Sequence, residues 1–166
     1  MPVNRLITSD EAYDLLAMTR DVCARELRPR VDAAEKAAAA GEDFPSEVFT
    51  ILGRAGLLSL PHPEEYGGGG QPYEVYLQVV EEIASAWMSV AVGVSVHSLT
   101  AFPVTTFGTE AQKEALLPGM LSGDQLGAYA LSEPDAGSDV ASMTTGARAT
   151  TDGEPTAYEI TGRKSW

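Results

Sequence analysis

The chain has 166 residues, a length that allows one or two compact domains. Its 11 basic and 24 acidic side chains give a formal net charge of −13. That charge argues against a nucleic-acid-binding protein, which needs a basic surface to displace phosphate counterions, and against a polybasic membrane anchor. Apolar residues form 44% of the sequence, which predicts a packed globular core.

Cysteine and histidine are scarce. The single cysteine, Cys23, cannot form an intrachain disulfide, which favours a reducing compartment. The N-terminus lacks the basic-then-apolar pattern of an export signal, so we expect a cytoplasmic protein. Since only His62 and His97 accompany this cysteine, no spacing typical of metal ligands is present, and we expect no metal site.

Residues 84–109 contain no Asp, Glu, Lys or Arg, which raises the question of a transmembrane helix. Serine and threonine side chains are scattered through this stretch, Pro103 interrupts it, and no basic flank sets an orientation. We therefore interpret it as a buried helix of a protein that does not enter the membrane. His97, within the stretch, is interpreted as a hydrogen-bonded core histidine and not as a catalytic base.

The first 40 residues predict a long helix. Thr8 and Glu11 have the spacing of a capping box, in which each side chain bonds a backbone N–H of the first turn. Apolar residues then recur at helical spacing as far as residue 31. Pro29 is expected to kink or split this helix, and Gly41 to follow its end.

Two further helices are predicted downstream. Pro45 suits the first turn of a helix that Gly56 ends, and Pro72 can open the next one. Between them, residues 61–72 are a loop by composition. The four consecutive glycines of this loop are not followed by the helix and lysine of a phosphate-binding loop.

Residues 90–96 are ambiguous, because their alternating valines are typical of a strand whereas the length of the segment also allows a buried helix. Further on, Thr109 and Gln112 have capping-box spacing and begin a helix that Pro118 and Gly123 are expected to limit.

Beyond residue 123 the pattern changes to short β-like runs. Residues 158–161 alternate in polarity, and Asp152 with Gly153 is a dipeptide typical of a hairpin turn. We therefore predict an α-helical domain over residues 1–124, followed by the beginning of a β domain over residues 125–166.

Residues 129–139, YALSEPDAGSD, are the most unusual stretch. We predict a strand that ends at Ser132, a turn fixed by Pro134, and a backbone geometry or close approach that Gly137 permits. Such a segment can present successive backbone N–H groups to an anion or to the edge of a heteroaromatic ring. From these residues alone, a plain capped turn remains the alternative.

This stretch, together with GRKSW at residues 162–166, resembles the flavin-binding signature of the acyl-CoA dehydrogenases. Three upstream segments resemble the same family in the same order: RPR at 28–30, the segment 56–68 with its PEEYGG sequence, and GTEAQK at 108–113. Together these segments span nearly the whole chain.

The resemblance implies an α+β fold with an N-terminal all-α helical domain, a middle flavin-binding β-barrel domain and a C-terminal four-helix domain. This chain would contain the first, over residues 1–124, and the opening strands of the second, over residues 125–166, while the third is absent. Because the family pattern continues past the tryptophan, we expect a fragment or a truncated product. The resemblance also favours a helix at residues 90–96.

The family's reaction is the α,β-dehydrogenation of an acyl-CoA thioester to a trans-2-enoyl-CoA in fatty acid β-oxidation. The resemblance therefore implies FAD as cofactor, electron-transferring flavoprotein as electron acceptor, and a homotetramer at full length. In this family the catalytic glutamate lies in the C-terminal domain, so the base is expected beyond residue 166. No residue of this chain is assigned as catalytic, and we expect the isolated chain to bind FAD poorly and to be inactive.

The resemblance also implies contacts for individual residues. Backbone groups at Leu131 and the Ser132 hydroxyl would bond the flavin pyrimidine edge, and Trp166 would pack beside the ring. Many relatives carry threonine in place of Ser132, so the hydroxyl is kept and a methyl group is lost. The full set expected to line FAD is Tyr129, Ala130, Leu131, Ser132, Gly137, Ser138 and Trp166. Substrate contacts are expected at Ser138, for the pantetheine arm, and on the acyl-pocket floor at Ala91, Val92 and Ser95.

Two alternatives stay open. An acyl-CoA oxidase or flavin monooxygenase of the same superfamily would let oxygen reach the reduced flavin. A non-catalytic helical interaction module, left by truncation, would end near Trp166.

Overall fold

The computed structural model describes residues 7, 9–41, 45–150 and 157–165. The chain divides into two compact units, Met1–Ala128 and Tyr129–Trp166. Within the described ranges, the first unit contains six α-helices and the second a two-stranded antiparallel sheet. The predicted fold class, a helical domain followed by the first strands of a β domain, is confirmed. The predicted domain boundary after residue 124 stays a prediction.

Helix α1, Asp10–Val22, begins at the cap residue Ser9. The Ser9 hydroxyl accepts a hydrogen bond from the backbone N–H of Ala12 at 3.2 Å. Thr8, which we predicted as the cap, lies outside the described residues. Serine and threonine both supply a hydroxyl oxygen that can accept this hydrogen bond, and in the structure the capping residue is Ser9.

The helix then continues through one π-helical turn, Cys23–Leu27, and one 3-10 turn, Arg28–Arg30, into α2, Val31–Ala39. Pro29 lies in the 3-10 turn and has no N–H to donate, so the predicted break occurs there. Gly41 follows α2 with φ 79°, a left-handed conformation that only glycine adopts at little cost.

Prolines mark the starts of the next two helices, as predicted. Pro45 is the N-cap of α3, Ser46–Arg54, and Pro72 is the N-cap of α4, Tyr73–Ala86. The glycine-rich loop between them contains one 3-10 turn, Glu64–Tyr66.

The alternating valines belong to helix α5, Met88–Phe107. Positions 90 and 94 are one turn apart and share a helix face, and both valines are buried, whereas Val92 is 55% exposed. The alternation in sequence therefore does not correspond to two sheet faces, and the expectation of a helix that came from the family resemblance is confirmed.

By length and composition alone, α5 is long and apolar enough to cross a membrane. In the structure it packs against both α4 and α6, and its face toward them includes the buried polar side chains of His97 and Ser98. These contacts are those of a core helix. Its other face leaves several large apolar side chains exposed, namely Met88, Val92, Leu99, Phe102 and Phe107.

Helix α6, Glu110–Ser122, starts with the predicted capping box. The Thr109 hydroxyl accepts from the Gln112 N–H at 3.3 Å, and the Gln112 side chain accepts from the Thr109 N–H at 2.9 Å. Pro118, expected to limit the helix, lies inside it. A proline there removes one intrahelical hydrogen bond, and the packing of Leu117 and Leu121 into the core outweighs that loss.

One large apolar cluster joins α1, the π-helical turn, α3, α4 and α5, and a smaller one joins α5 to α6. Burying each large aliphatic or aromatic side chain contributes about 1.5–3 kcal/mol, so these clusters supply most of the favourable free energy of the helical unit. The members of the large cluster that are no more than 2% exposed are Leu16, Leu27, Val48, Phe49, Leu52, Leu57, Leu58, Val79, Ile83, Val90, Ala91 and Val94.

In the second unit, β1, Gly146–Ala149, pairs antiparallel with β2, Tyr158–Thr161. Gly146 is opposite Thr161 and Ala149 is opposite Tyr158. The predicted strand at residues 158–161 is thus confirmed, while the predicted turn residues Asp152 and Gly153 lie outside the described residues.

The strand predicted to end at Ser132 is not observed. In the described part of the chain, residues 129–132 form no ladder of backbone hydrogen bonds with another strand. Among the described residues, a single backbone–backbone hydrogen bond reaches them, from the Ser165 N–H to the Ser132 carbonyl oxygen at 2.8 Å. A β-like sequence becomes a strand only where a neighbour pairs along its length, and sequence pattern alone does not supply that neighbour.

Candidate functional site

The signature segment, residues 129–139, makes a tight turn directly after Ser132. The Glu133 N–H donates to the Ala136 carbonyl at 2.7 Å, and the Ala136 N–H donates back to the Glu133 carbonyl at 3.2 Å. Pro134 therefore occupies the first central position of a turn, where its fixed φ is favourable, as predicted. The turn returns the chain toward Ser132.

Gly137 lies beside the Ser132 hydroxyl. A Cβ atom added at Gly137 would lie 3.9 Å from Ser132 Oγ and, apart from its chain neighbours, within 4 Å of no other described atom. Its φ is not in the left-handed region, so the special backbone geometry predicted for Gly137 is not observed. Because glycine has no side chain, the space next to the Ser132 hydroxyl is open.

The two halves of the signature meet within the second unit. Ser165, from the GRKSW segment, donates its N–H to the Ser132 carbonyl at 2.8 Å. Trp166 lies outside the described residues, and its chain neighbour Ser165 is the residue that the structure brings to Ser132. Two segments that are far apart in sequence are thereby joined where the family resemblance expects a flavin.

A buried carboxylate lies at this junction. Glu133, whose side chain is only 3% exposed, accepts hydrogen bonds from the Thr144 N–H at 2.7 Å, the Thr144 hydroxyl at 2.9 Å and the Thr145 N–H at 3.0 Å. The bond from the Thr144 backbone, together with those from Thr145 and Lys164, lowers the pKa of Glu133 far below its ordinary value. Glu133 is therefore ionised at neutral pH.

The cation that faces this carboxylate comes from the other half of the signature. Lys164 Nζ lies 3.0 Å from Glu133 Oε1 and donates to the Leu131 carbonyl at 2.8 Å. Neither Glu133 nor Lys164 was predicted to have a role, although both lie inside the motifs. The signal in the sequence was that residues 129–139 carry only acidic charges and residues 162–166 only basic ones, and spacing does not reveal which two side chains meet.

The segment also presents hydrogen-bond donors without protein acceptors. Among the described residues, the N–H groups of positions 130–132 and the Ser132 hydroxyl donate to no acceptor. Leu131 and Ser132 are half-buried, whereas Tyr129, Ala130 and Ser138 are exposed. A row of unpaired donors beside an open space suits a flat ligand that carries acceptors along one edge.

Two residues predicted to contact substrate lie in the first unit, on α5. Val92 and Ser95 are one turn apart and both are exposed, so they share an accessible face of this helix. Ala91, expected beside them, is only 2% exposed and packs into the core, and it is therefore not part of that face.

His97 is a buried core histidine, as predicted. Its Nε2 lies 2.9 Å from the Met120 carbonyl, and the Gly127 N–H donates to its Nδ1 at 3.0 Å. Since Nδ1 accepts the hydrogen bond from this backbone N–H, Nδ1 carries no proton of its own. The ring is therefore neutral, with its proton on Nε2. Burial lowers the pKa of His97 and so favours this neutral form.

His62 is also buried and has hydroxyl neighbours. Ser98 Oγ lies 3.3 Å from His62 Nε2, and Thr105 Oγ1 lies 3.5 Å from its Nδ1. Burial, with a smaller contribution from the nearby His97, lowers the pKa of His62. Cys23 is buried as well, and burial raises the pKa of its thiol, which disfavours the reactive thiolate.

The first unit corresponds to a known class of domain. Residues 9–124 match the family model described as "Acyl-CoA dehydrogenase, N-terminal domain". The chain therefore belongs to the acyl-CoA dehydrogenase family, as the resemblance predicted.

Individual relatives agree with this assignment. An acyl-CoA dehydrogenase of Bacillus subtilis (strain 168) is 39% identical over 82% of this chain, and the mitochondrial short-chain specific acyl-CoA dehydrogenase of Homo sapiens is 37% identical over 94% of it. The crystal structure of an acyl-CoA dehydrogenase complexed with FAD from Bacillus anthracis matches 99% of this chain with a TM-score of 0.85 and 31% identity. The chain spans 35% and 36% of the length of the two curated relatives and 28% of the solved chain.

Proposed function

We propose that this chain is the N-terminal part of an FAD-dependent acyl-CoA dehydrogenase, which oxidises acyl-CoA thioesters to trans-2-enoyl-CoA and passes the electrons to an electron-transferring flavoprotein. The observation that carries the proposal is the hydrogen bond from the Ser165 N–H to the Ser132 carbonyl, at 2.8 Å, which joins the two halves of the flavin signature. Membership of the family and similarity to a relative solved with FAD support it.

The residues at this junction fit a flavin. Along the pyrimidine edge of the isoalloxazine ring, the two carbonyl oxygens and the ring nitrogen N1 accept hydrogen bonds. The unpaired N–H groups of positions 130–132 and the Ser132 hydroxyl are donors, and Gly137 leaves the adjacent space open. When bound, FAD would take up the hydride that leaves the β-carbon of the substrate.

The contribution of this chain is to bind and orient. Leu131 and Ser132 would hold the edge of the flavin, and the exposed Ser138 would contact the pantetheine arm of the substrate. Val92 and Ser95 would line the acyl pocket from α5. Holding substrate and cofactor at reacting distance lowers the barrier because less translational and rotational freedom has to be lost at the reaction step.

The proton of the α-carbon needs a base, and we assign none within this chain. We place the catalytic glutamate in sequence beyond residue 166, and a homotetramer, a cytoplasmic location and a role in fatty acid β-oxidation belong to the same proposal. The isolated 166-residue chain should then bind FAD poorly and lack dehydrogenase activity. Stoichiometric flavin absorbance that co-purifies with the isolated chain would contradict this.

A matched pair of substitutions at Ser132, made in the full-length protein, tests the flavin site. Ser132→Thr and Ser132→Val have nearly the same shape, but only threonine keeps the hydroxyl. A lost hydrogen bond is worth about 0.5–1.5 kcal/mol, so Ser132→Val should weaken FAD binding by about threefold to tenfold relative to Ser132→Thr. The measurement is a titration of FAD followed by flavin fluorescence. Equal dissociation constants for the two variants would remove Ser132 from the site.

The electron acceptor is tested separately. Turnover that requires electron-transferring flavoprotein, or an artificial acceptor in its place, is the result expected for a dehydrogenase. Oxygen consumption at a comparable rate without any added acceptor would instead indicate an oxidase of the same superfamily.

A further inference from the structure

We propose that Lys164 and Glu133 are positioning residues, which orient the backbone of the flavin-binding segment through the Leu131 carbonyl. This inference rests on the proposed flavin site and adds the side chains that hold its backbone in place. Neither residue is expected to touch the reacting atoms.

Consecutive residues of the two halves of the signature are hydrogen-bonded to each other at the junction. Lys164 Nζ donates to the Leu131 carbonyl at 2.8 Å and lies 3.0 Å from Glu133 Oε1, while the next residue, Ser165, donates its N–H to the Ser132 carbonyl. Three consecutive residues of one half of the signature are thus held by two consecutive residues of the other half. The relative register of the two halves is fixed at this point.

The direction of the Leu131 carbonyl also sets the direction of a neighbouring N–H group. The carbonyl of Leu131 and the N–H of Ser132 belong to the same peptide unit, and no cis peptide bond occurs in the described residues. In a trans peptide the oxygen and the hydrogen point in opposite directions. Because the carbonyl points toward Lys164, the Ser132 N–H points away from it, and this is one of the donors that has no acceptor among the described residues.

Glu133 holds Lys164 in place. Its carboxylate is buried and is also bonded by the backbone N–H groups of Thr144 and Thr145, so it has little freedom to move. Lys164, 27% exposed, is thereby held on the Leu131 side of the turn. The charge of the lysine is compensated by the glutamate, so the pair adds no net charge next to the flavin.

The experiment uses the full-length protein and three variants. Lys164→Met keeps an unbranched side chain of similar length but removes the donor. Arg163→Met removes a cation from the neighbouring exposed position and is the matched control, because no hydrogen bond from Arg163 is seen among the described residues. Glu133→Gln/Lys164→Met removes both charges, which avoids leaving an unpaired buried carboxylate.

Two readouts separate orientation from stability: the FAD dissociation constant, with the visible absorption spectrum of the bound flavin, and the urea midpoint of unfolding. We expect Lys164→Met to weaken FAD binding about tenfold or more and to shift the flavin absorption, because the misplacement of a binding group by a fraction of an ångström is costly. Arg163→Met should change neither readout.

The double variant tests the positioning role even if Lys164→Met alone does not fold. Its urea midpoint should recover, while its FAD affinity stays at least about tenfold below that of the wild type, since the Leu131 carbonyl still lacks its donor. Wild-type affinity and spectrum in the double variant would overturn the inference. Failure of the wild-type protein itself to bind FAD would refute the proposed function, so the two failures are distinguishable.

Discussion

Replacement of Gly53 by alanine should destabilise the helical unit, although helix propensity alone predicts the opposite. Gly53 lies in α3, and a Cβ atom at this position would be 2.0 Å from the Ser122 carbonyl oxygen and 2.6 Å from its carbon. Both atoms are backbone atoms at the end of α6. They move only if the two helices move apart.

The magnitude follows from two opposing contributions. Alanine in place of glycine inside a helix stabilises by about 1 kcal/mol. A carbon–oxygen contact needs about 3.3 Å, so α3 and α6 would have to separate by more than about 1 Å, and overpacking of this kind costs about 1–3 kcal/mol. Taking the upper part of that range, because backbone atoms are involved, the expected net loss is about 1–2 kcal/mol.

Urea unfolding followed by circular dichroism measures this difference. With a slope of about 2 kcal/mol per molar urea, Gly53→Ala should lower the midpoint by about 0.5–1 M. Gly119→Ala is the matched control, because Gly119 is also inside a helix and the three atoms nearest to its added Cβ all belong to the exposed side chain of Gln125, the nearest at 3.0 Å. A Gly53→Ala midpoint equal to or above that of Gly119→Ala would refute the reasoning.

Two other predictions concern titratable side chains. His62 and His97 are buried and neutral, and burial lowers the pKa of each below the ordinary 6.5. The unfolded chain therefore binds more protons below pH 6.5, so the free energy of unfolding should fall as the pH drops from 6.5 toward 5 and stay level above that window. A flat urea midpoint between pH 5 and 8 would contradict this. Cys23 is buried with a raised pKa, so a thiol reagent at pH 7.5 should label it only after urea is added; rapid labelling of the folded protein would show that it is accessible.

The features that the sequence predicted well are local. The Thr109 and Gln112 capping box, the break at Pro29 and the helix start at Pro72 depend on residues within one helical turn. In α4, Val79 and Ile83 are one turn apart and both are fully buried, which is another arrangement set by local spacing.

The features that the sequence did not predict depend on distant partners. Glu133 and Lys164 pair across 31 positions, and the contact of Gly53 with Ser122 joins two helices. Sequence spacing does not identify either pair, because the two residues of each pair lie far apart in the chain and meet only when it folds. The strand expected before Ser132 failed for the same reason, since its sequence is β-like but no neighbouring strand pairs with it among the described residues.

The most direct test of the central claim is amide hydrogen exchange of the full-length protein with and without FAD. The N–H groups of positions 130–132 donate to no acceptor among the described residues, so a flavin bound there should give them one. We predict slower exchange in residues 129–139 on FAD binding and no change in Ser46–Arg54 of α3, which serves as the internal reference. Stoichiometric FAD binding with unchanged exchange in residues 129–139 would show that the cofactor is held elsewhere.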